Sequence, residues 1–113
     1  MLTLDSIKEY GADVEEGLTR CMGNEALFLK LASTIPSEER FTKLAECLKT
    51  NDLDGAFENA HALKGVTGNL SLKPLYDPLV ELTEHLRSRE NIDYTELINE
   101  IIKQRDKLAG LCN

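Results

Sequence analysis

Tryptophan is absent from this chain, and phenylalanine and tyrosine bring the aromatic share to only 5%. Aliphatic side chains must therefore fill most of whatever core forms. Only three prolines interrupt the 113 residues, a number that permits long helices built from Leu, Ala, Glu and Lys. Positive charge is also short: 20 acidic residues against 13 basic ones leave a net charge of −7. That balance argues against a general nucleic-acid-binding role, because no basic stripe exists to neutralise phosphates. No window approaches the roughly 18 apolar residues of a membrane span. The opening Met1-Leu2-Thr3-Leu4-Asp5 has neither the basic segment nor the apolar run of a signal peptide. Cys21, Cys47 and Cys112 are odd in number and far apart, a spacing that fits neither a disulfide framework nor a zinc ligand set. They read as reduced thiols of a cytoplasmic protein, with Cys21 and Cys47 serving as small hydrophobes near the core.

What is present is helical periodicity, almost from end to end. A short segment from Leu4 to Tyr10 ends at Gly11. Val14, Leu18, Cys21 and Met22 mark a helix that opens at Asp13 and stops at Gly23, with Met22 expected in the core. Leu27, Phe28, Leu31, Ala32 and Ile35 share one face of the next helix. Pro36 then either kinks that helix or breaks it, with a fresh cap at Ser37 and Glu38-Glu39 in the new first turn. Phe41, Leu44, Ala45 and Leu48 continue the stripe. Leu53, Ala56, Ala60, Leu63, Thr67 and Leu70 follow after an Asn51-Asp52 turn. Pro74 suits the first turn of another helix, and Asp93 is the expected cap of the last. No period-2 run appears. Short connections between amphipathic helices predict an all-α fold, an antiparallel up-down four-helix bundle with an additional N-terminal helix. The chain is expected to form a single domain, with an N-terminal helical segment over 1–23 and the bundle over about 24–112.

On a helical wheel His61 points to the far side of its helix from the apolar stripe. Gly65 and Gly68 lie within about 40° of it and Lys64 within about 60°. The glycines are the anomaly, because each weakens a helix interior by about 1 kcal/mol relative to alanine. Their absent side chains would let a bulky group or a partner's backbone reach the imidazole. At pH 7 an ordinary imidazole is mostly neutral and keeps one nitrogen lone pair for attack on an electrophile. Lys64 can offer positive charge to an anion gathering there. No acid and hydroxyl are arranged for a protease-like triad, and no second ligand stands at i+3 or i+4 to hold a metal. Phosphoryl acceptance fits this set best.

The run Ala60-His61-Ala62-Leu63-Lys64-Gly65-Val66-Thr67-Gly68-Asn69-Leu70 resembles the signature of histidine-phosphotransfer (HPt) domains. Gly23-Asn24-Glu25 and the Asp52-Leu53-Asp54 turn are similar to that family's surroundings, so the likeness covers residues 13 to about 110. The resemblance implies a phosphorelay carrier of two-component signalling without kinase activity of its own. His61 would be the phosphorylated residue, Lys64 would stabilise the phosphoryl group, and Gly65 would leave access, with Gly68 a second access residue or a packing one. It implies no cofactor and no metal of the chain's own, the receiver supplying magnesium and the acidic pocket. The implied partners are response-regulator receiver domains and a hybrid sensor histidine kinase, met by a cytoplasmic monomer. One departure stands out: the family's usual glycine ten residues after the histidine is Ser71 here, which puts the local cap geometry in question. The alternative is a non-catalytic helical adaptor, or a relay module that has lost phosphotransfer.

Two apolar residues fit their helices poorly. Leu29 points away from its helix's apolar face, and Phe57, one turn before His61, lies at the margin of the buried stripe. They are either edge packing or an apolar docking patch for a receiver. His85, among Thr83, Glu84 and Arg87, reads as an ordinary surface residue.

Overall fold

Side-chain caps set most of the helix starts. In the computed structural model, which describes residues 1–113, Thr3 and Ser6 form a reciprocal capping box at the start of α1 (Leu4–Tyr10). Asp13 caps α2 (Val14–Arg20) and Asn24 caps α3 (Glu25–Thr34), each accepting from the backbone N–H three residues on. Asp52 does the same for α5 (Leu53–Asn69) through the Gly55 N–H. The remaining helices are α4 (Arg40–Lys49), α6 (Lys73–Arg87) and α7 (Thr95–Leu111), and no strand is present. The fold is all-helical.

Several local expectations need correction. α2 stops at Arg20, before Gly23, and Met22 turns into the left-handed region at φ 58 with its side chain 95% exposed, outside the core. Pro36 breaks its helix: Ile35–Ser37 form a single 3-10 turn and α4 begins only at Arg40. Ser37 caps nothing, and Glu39 occupies the N-cap position without a side-chain bond, so neither glutamate lies in a first turn. α3 buries a narrower stripe than its pattern promised. Phe28, Ala32 and Ile35 are covered, whereas Leu27 and Leu31 remain about two-fifths exposed, because α3 packs mainly on α2 and the 3-10 turn. Asp93 does accept from the Thr95 N–H at 2.9 Å, but Tyr94 holds the N-cap position of α7.

α5 is the centre of the molecule. It packs against α4 on one side and α6 on the other, and α6 in turn packs against α7. Ala56, Ala60, Leu63 and Thr67 are fully buried at helical spacing. Small residues at 56 and 60 let the neighbours approach closely, while leucines from α6 supply bulk. The buried hydroxyl of Thr67 is satisfied by donating to the Leu63 carbonyl at 2.8 Å. α6 starts as its sequence implies, with Pro74 in the first turn. α1 lies along α7, where Ile7 is buried and the Tyr10 hydroxyl donates to the Gln104 carbonyl at 2.9 Å. Burial, reinforced by Glu100, holds that phenol far above its ordinary range.

Candidate functional site

His61 stands mid-way along α5 and is exposed. Its neighbours in sequence explain why. Ala60 and Leu63 are fixed in the core, so residue 61 is carried to the outer face with no freedom to rotate inward. The two directions along the helix surface differ.

Toward the N-terminus, the Phe57 ring lies against the imidazole, with centroids 5.8 Å apart and planes 8° from parallel. Two guanidinium groups from the end of α6 gather on Phe57, Arg89 at 4.8 Å and Arg87 at 5.4 Å from the ring centroid. Arg89 also donates to Asp54 at 2.6 Å and to the Leu86 carbonyl at 2.6 Å, and its backbone is left-handed at φ 52. His85 is engaged locally, with Nδ1 2.8 Å from the Glu90 carboxylate. Sequence reasoning missed Arg87 and Arg89. They reach Phe57 only because α6 packs on α5, and no local pattern encodes that meeting.

Toward the C-terminus the surface opens. A Cβ built on Gly65 would meet nothing within 4 Å. Lys64 is half-buried and forms no ion pair. A polar cleft of about 250 Å³ begins at these two residues. Gly68 behaves differently from Gly65. A Cβ there would lie 2.8 Å from the Tyr76 ring, so its absence lets α6 pack closely and clears no path to His61. Ser71 takes φ 53, a left-handed conformation that glycine adopts without strain. The serine compensates by bonding: its hydroxyl donates to Glu16 at 2.8 Å, and its carbonyl accepts from the Asp13 N–H at 3.0 Å.

Of the two candidate patch residues, Phe57 is brought onto His61, whereas Leu29 is half-buried on α3 and packs against the core. The cysteines carry no sign of reactivity. Burial, aided by the Asp52 carboxylate, pushes the Cys47 thiol up, and burial does the same to Cys112. No group of three or more His, Cys, Asp or Glu side chains converges to hold a metal. No helix is long and apolar enough to cross a membrane.

With this geometry in place, comparison with family models is decisive. The Hpt domain model matches residues 36–110, well over half of the chain. The chain belongs to the Hpt domain family. Hpt domains are phosphocarrier modules of phosphorelay signalling, not kinases, and they work with receiver domains and kinases of two-component systems. The matched region contains α4 to α6 and all but the last residue of α7, and with them His61, Lys64 and Gly65; α1 to α3 lie outside it. No curated protein and no solved structure gives a significant match.

Proposed function

We propose that His61 is the phosphoryl acceptor of this Hpt domain and exchanges its phosphoryl group with an aspartate on a response-regulator receiver domain. The single observation that carries the reading is the placement of His61. It is exposed at the middle of the central helix, braced by Phe57 on one side and clear of side chains at Gly65 on the other. A ring nitrogen of the neutral imidazole attacks the phosphorus of the receiver's aspartyl phosphate, and the P–O bond to that aspartate breaks as the P–N bond forms. The aspartate leaves as a carboxylate. The same path runs backward, so the protein passes on what it receives. Lys64, one turn from His61 and free of any carboxylate partner, offsets the charge of the phosphoryl oxygens. Phe57 limits rotation of the imidazole, and Gly65 leaves room for the receiver's loops.

The whole chain serves as one domain in this reading, with residues 1–23 laid against a bundle of 24–112. An antiparallel four-helix arrangement of α4 to α7 is supported by the packing of α5 between α4 and α6 and by the short turns joining them. The protein acts in the cytoplasm as a monomer, charged through a hybrid sensor histidine kinase. The test is His61→Gln, with label transferred from a phosphorylated receiver. The variant should accept no acid-labile, base-stable label while its Tm stays within the shift expected of about 0.5 kcal/mol for a surface change. Undiminished labelling of the variant would move the acceptor elsewhere, with His85 next to be replaced.

A further inference from the structure

The cleft on the C-terminal side of His61 holds a concentration of unused donors. Arg20, Lys64, Lys73, Asn69 and Tyr76 line it, with Glu16 as the one carboxylate. Glu16 is already occupied: it pairs with Arg20 at 3.4 Å and accepts from the Ser71 hydroxyl at 2.8 Å. Lys64 and Lys73 have no ion-pair partner. The Asn69 amide and the Tyr76 hydroxyl donate to nothing in the protein. A chain with a net charge of −7 thus keeps three cations around one small opening, two of them uncompensated.

Lys73 is also badly placed for the fold. It is the first residue of α6, whose first turn holds no acidic residue. The positive end of a helix favours Asp or Glu there and disfavours Lys. Its charge serves neither an ion pair nor the helix and is free to meet an anion. The cleft measures about 250 Å³ and is open to solvent, so a carboxylate-bearing segment can enter it.

We infer that this cleft is the docking socket for an acidic loop at the rim of the receiver's active site, held by Lys73, Lys64 and Arg20. The inference rests on the reading of His61 as the residue that meets a receiver. Lys64 and Gly65 line the cleft and also flank the imidazole, so a loop seated in it brings the aspartyl phosphate along the clearing at Gly65. Positive charge on this side steers an acidic surface into register and speeds encounter, an effect that weakens with salt.

The experiment uses the intact protein and whichever receiver of the source organism transfers to it fastest. Transfer is followed against receiver concentration and salt, for the wild type, Lys73→Glu and Lys73→Arg. In parallel, His61 is labelled with phosphoramidate, a small donor that needs no docking. Lys73→Glu should raise the apparent KM about tenfold and flatten the salt dependence. It should leave the maximal rate and the phosphoramidate labelling unchanged and hold or slightly raise the Tm, since Glu suits the start of α6 better than Lys, and Lys73→Arg should restore the wild-type KM. An unchanged KM and salt dependence in Lys73→Glu would overturn the proposal. Inhibition of the wild type by inorganic phosphate, abolished in Lys73→Glu without a change in KM, would overturn it in favour of a free-phosphate site. Failure of both phosphoramidate and the receiver to label His61 would bring down the underlying reading, and the socket with it.

Discussion

The two flanks of His61 lie on the same helix and are built in opposite ways. On the N-terminal flank the arginines are paired and the imidazole is stacked: Arg89 pairs with Asp54, Arg87 with Glu84, and Phe57 lies against the imidazole. On the C-terminal flank Gly65 is bare, Lys64 is unpaired and a cleft opens. A group-transfer residue needs both conditions. One side must hold the ring in a reactive orientation, because misplacement by about 1 Å can reduce a rate roughly 100-fold. The other must remain empty until the partner fills it.

Filling the open flank should have the largest effect. Gly65→Gln is expected to keep or slightly raise the Tm, since glutamine is a good helix former, while receiver-driven transfer falls by roughly 100-fold. Measuring both on one preparation checks this, and a stable variant that transfers at the wild-type rate would erase the difference between the flanks. Next come the two glycines compared as alanines. Gly68→Ala drives a methyl into the Tyr76 ring and should destabilise by about 1–3 kcal/mol. Gly65→Ala has ordinary helical surroundings and should stabilise by up to about 1 kcal/mol. Opposite signs in urea unfolding are the expected result; equal signs would mean the packing at Tyr76 has been misjudged.

A smaller change is expected from Phe57→Leu, which keeps a hydrophobic side chain at the core margin and removes the stack. It should lower stability by about 1 kcal/mol and slow transfer several-fold. NMR should report broader motion of the His61 ring, and unaltered ring dynamics would remove the bracing role. The least effect belongs to Arg89→Gly. The lost pair with Asp54, which is 85% exposed, and the lost contact with the Phe57 ring together contribute about 1 kcal/mol. Relief of the left-handed backbone offsets them by about 1 kcal/mol, so the Tm should barely move.

The helices and the exposure of His61 were legible because both follow from the 3.6-residue period, which any single segment carries in full. Ala60 and Leu63 place residue 61 outward whatever surrounds the helix. The cap at Asp13 and the turn at Asn51-Asp52 were equally local. What could not be read depends on meetings between segments. Leu27 and Leu31 match the pattern of a buried face, but no helix arrives to cover them. Gly65 and Gly68 look alike in sequence, and only the approach of Tyr76 separates them. Arg89 is 35 residues from Asp54, and its place over Phe57 is set by the end of α6. Met22 was misread for a related reason: its apolar character counted for less than the left-handed turn that ends α2.

Ser71 has a consequence for how the protein can be observed. Its carbonyl holds the Asp13 amide, and its hydroxyl holds Glu16, so a segment outside the matched region is tied to the turn between α5 and α6. Hydrogen exchange at the single amide of Asp13 then reports how often that turn opens. The wall of the cleft includes Ser71 and Glu16, so a partner seated there should slow exchange at an amide it never touches. The chain thereby carries an internal gauge of occupancy, readable without a label at the histidine.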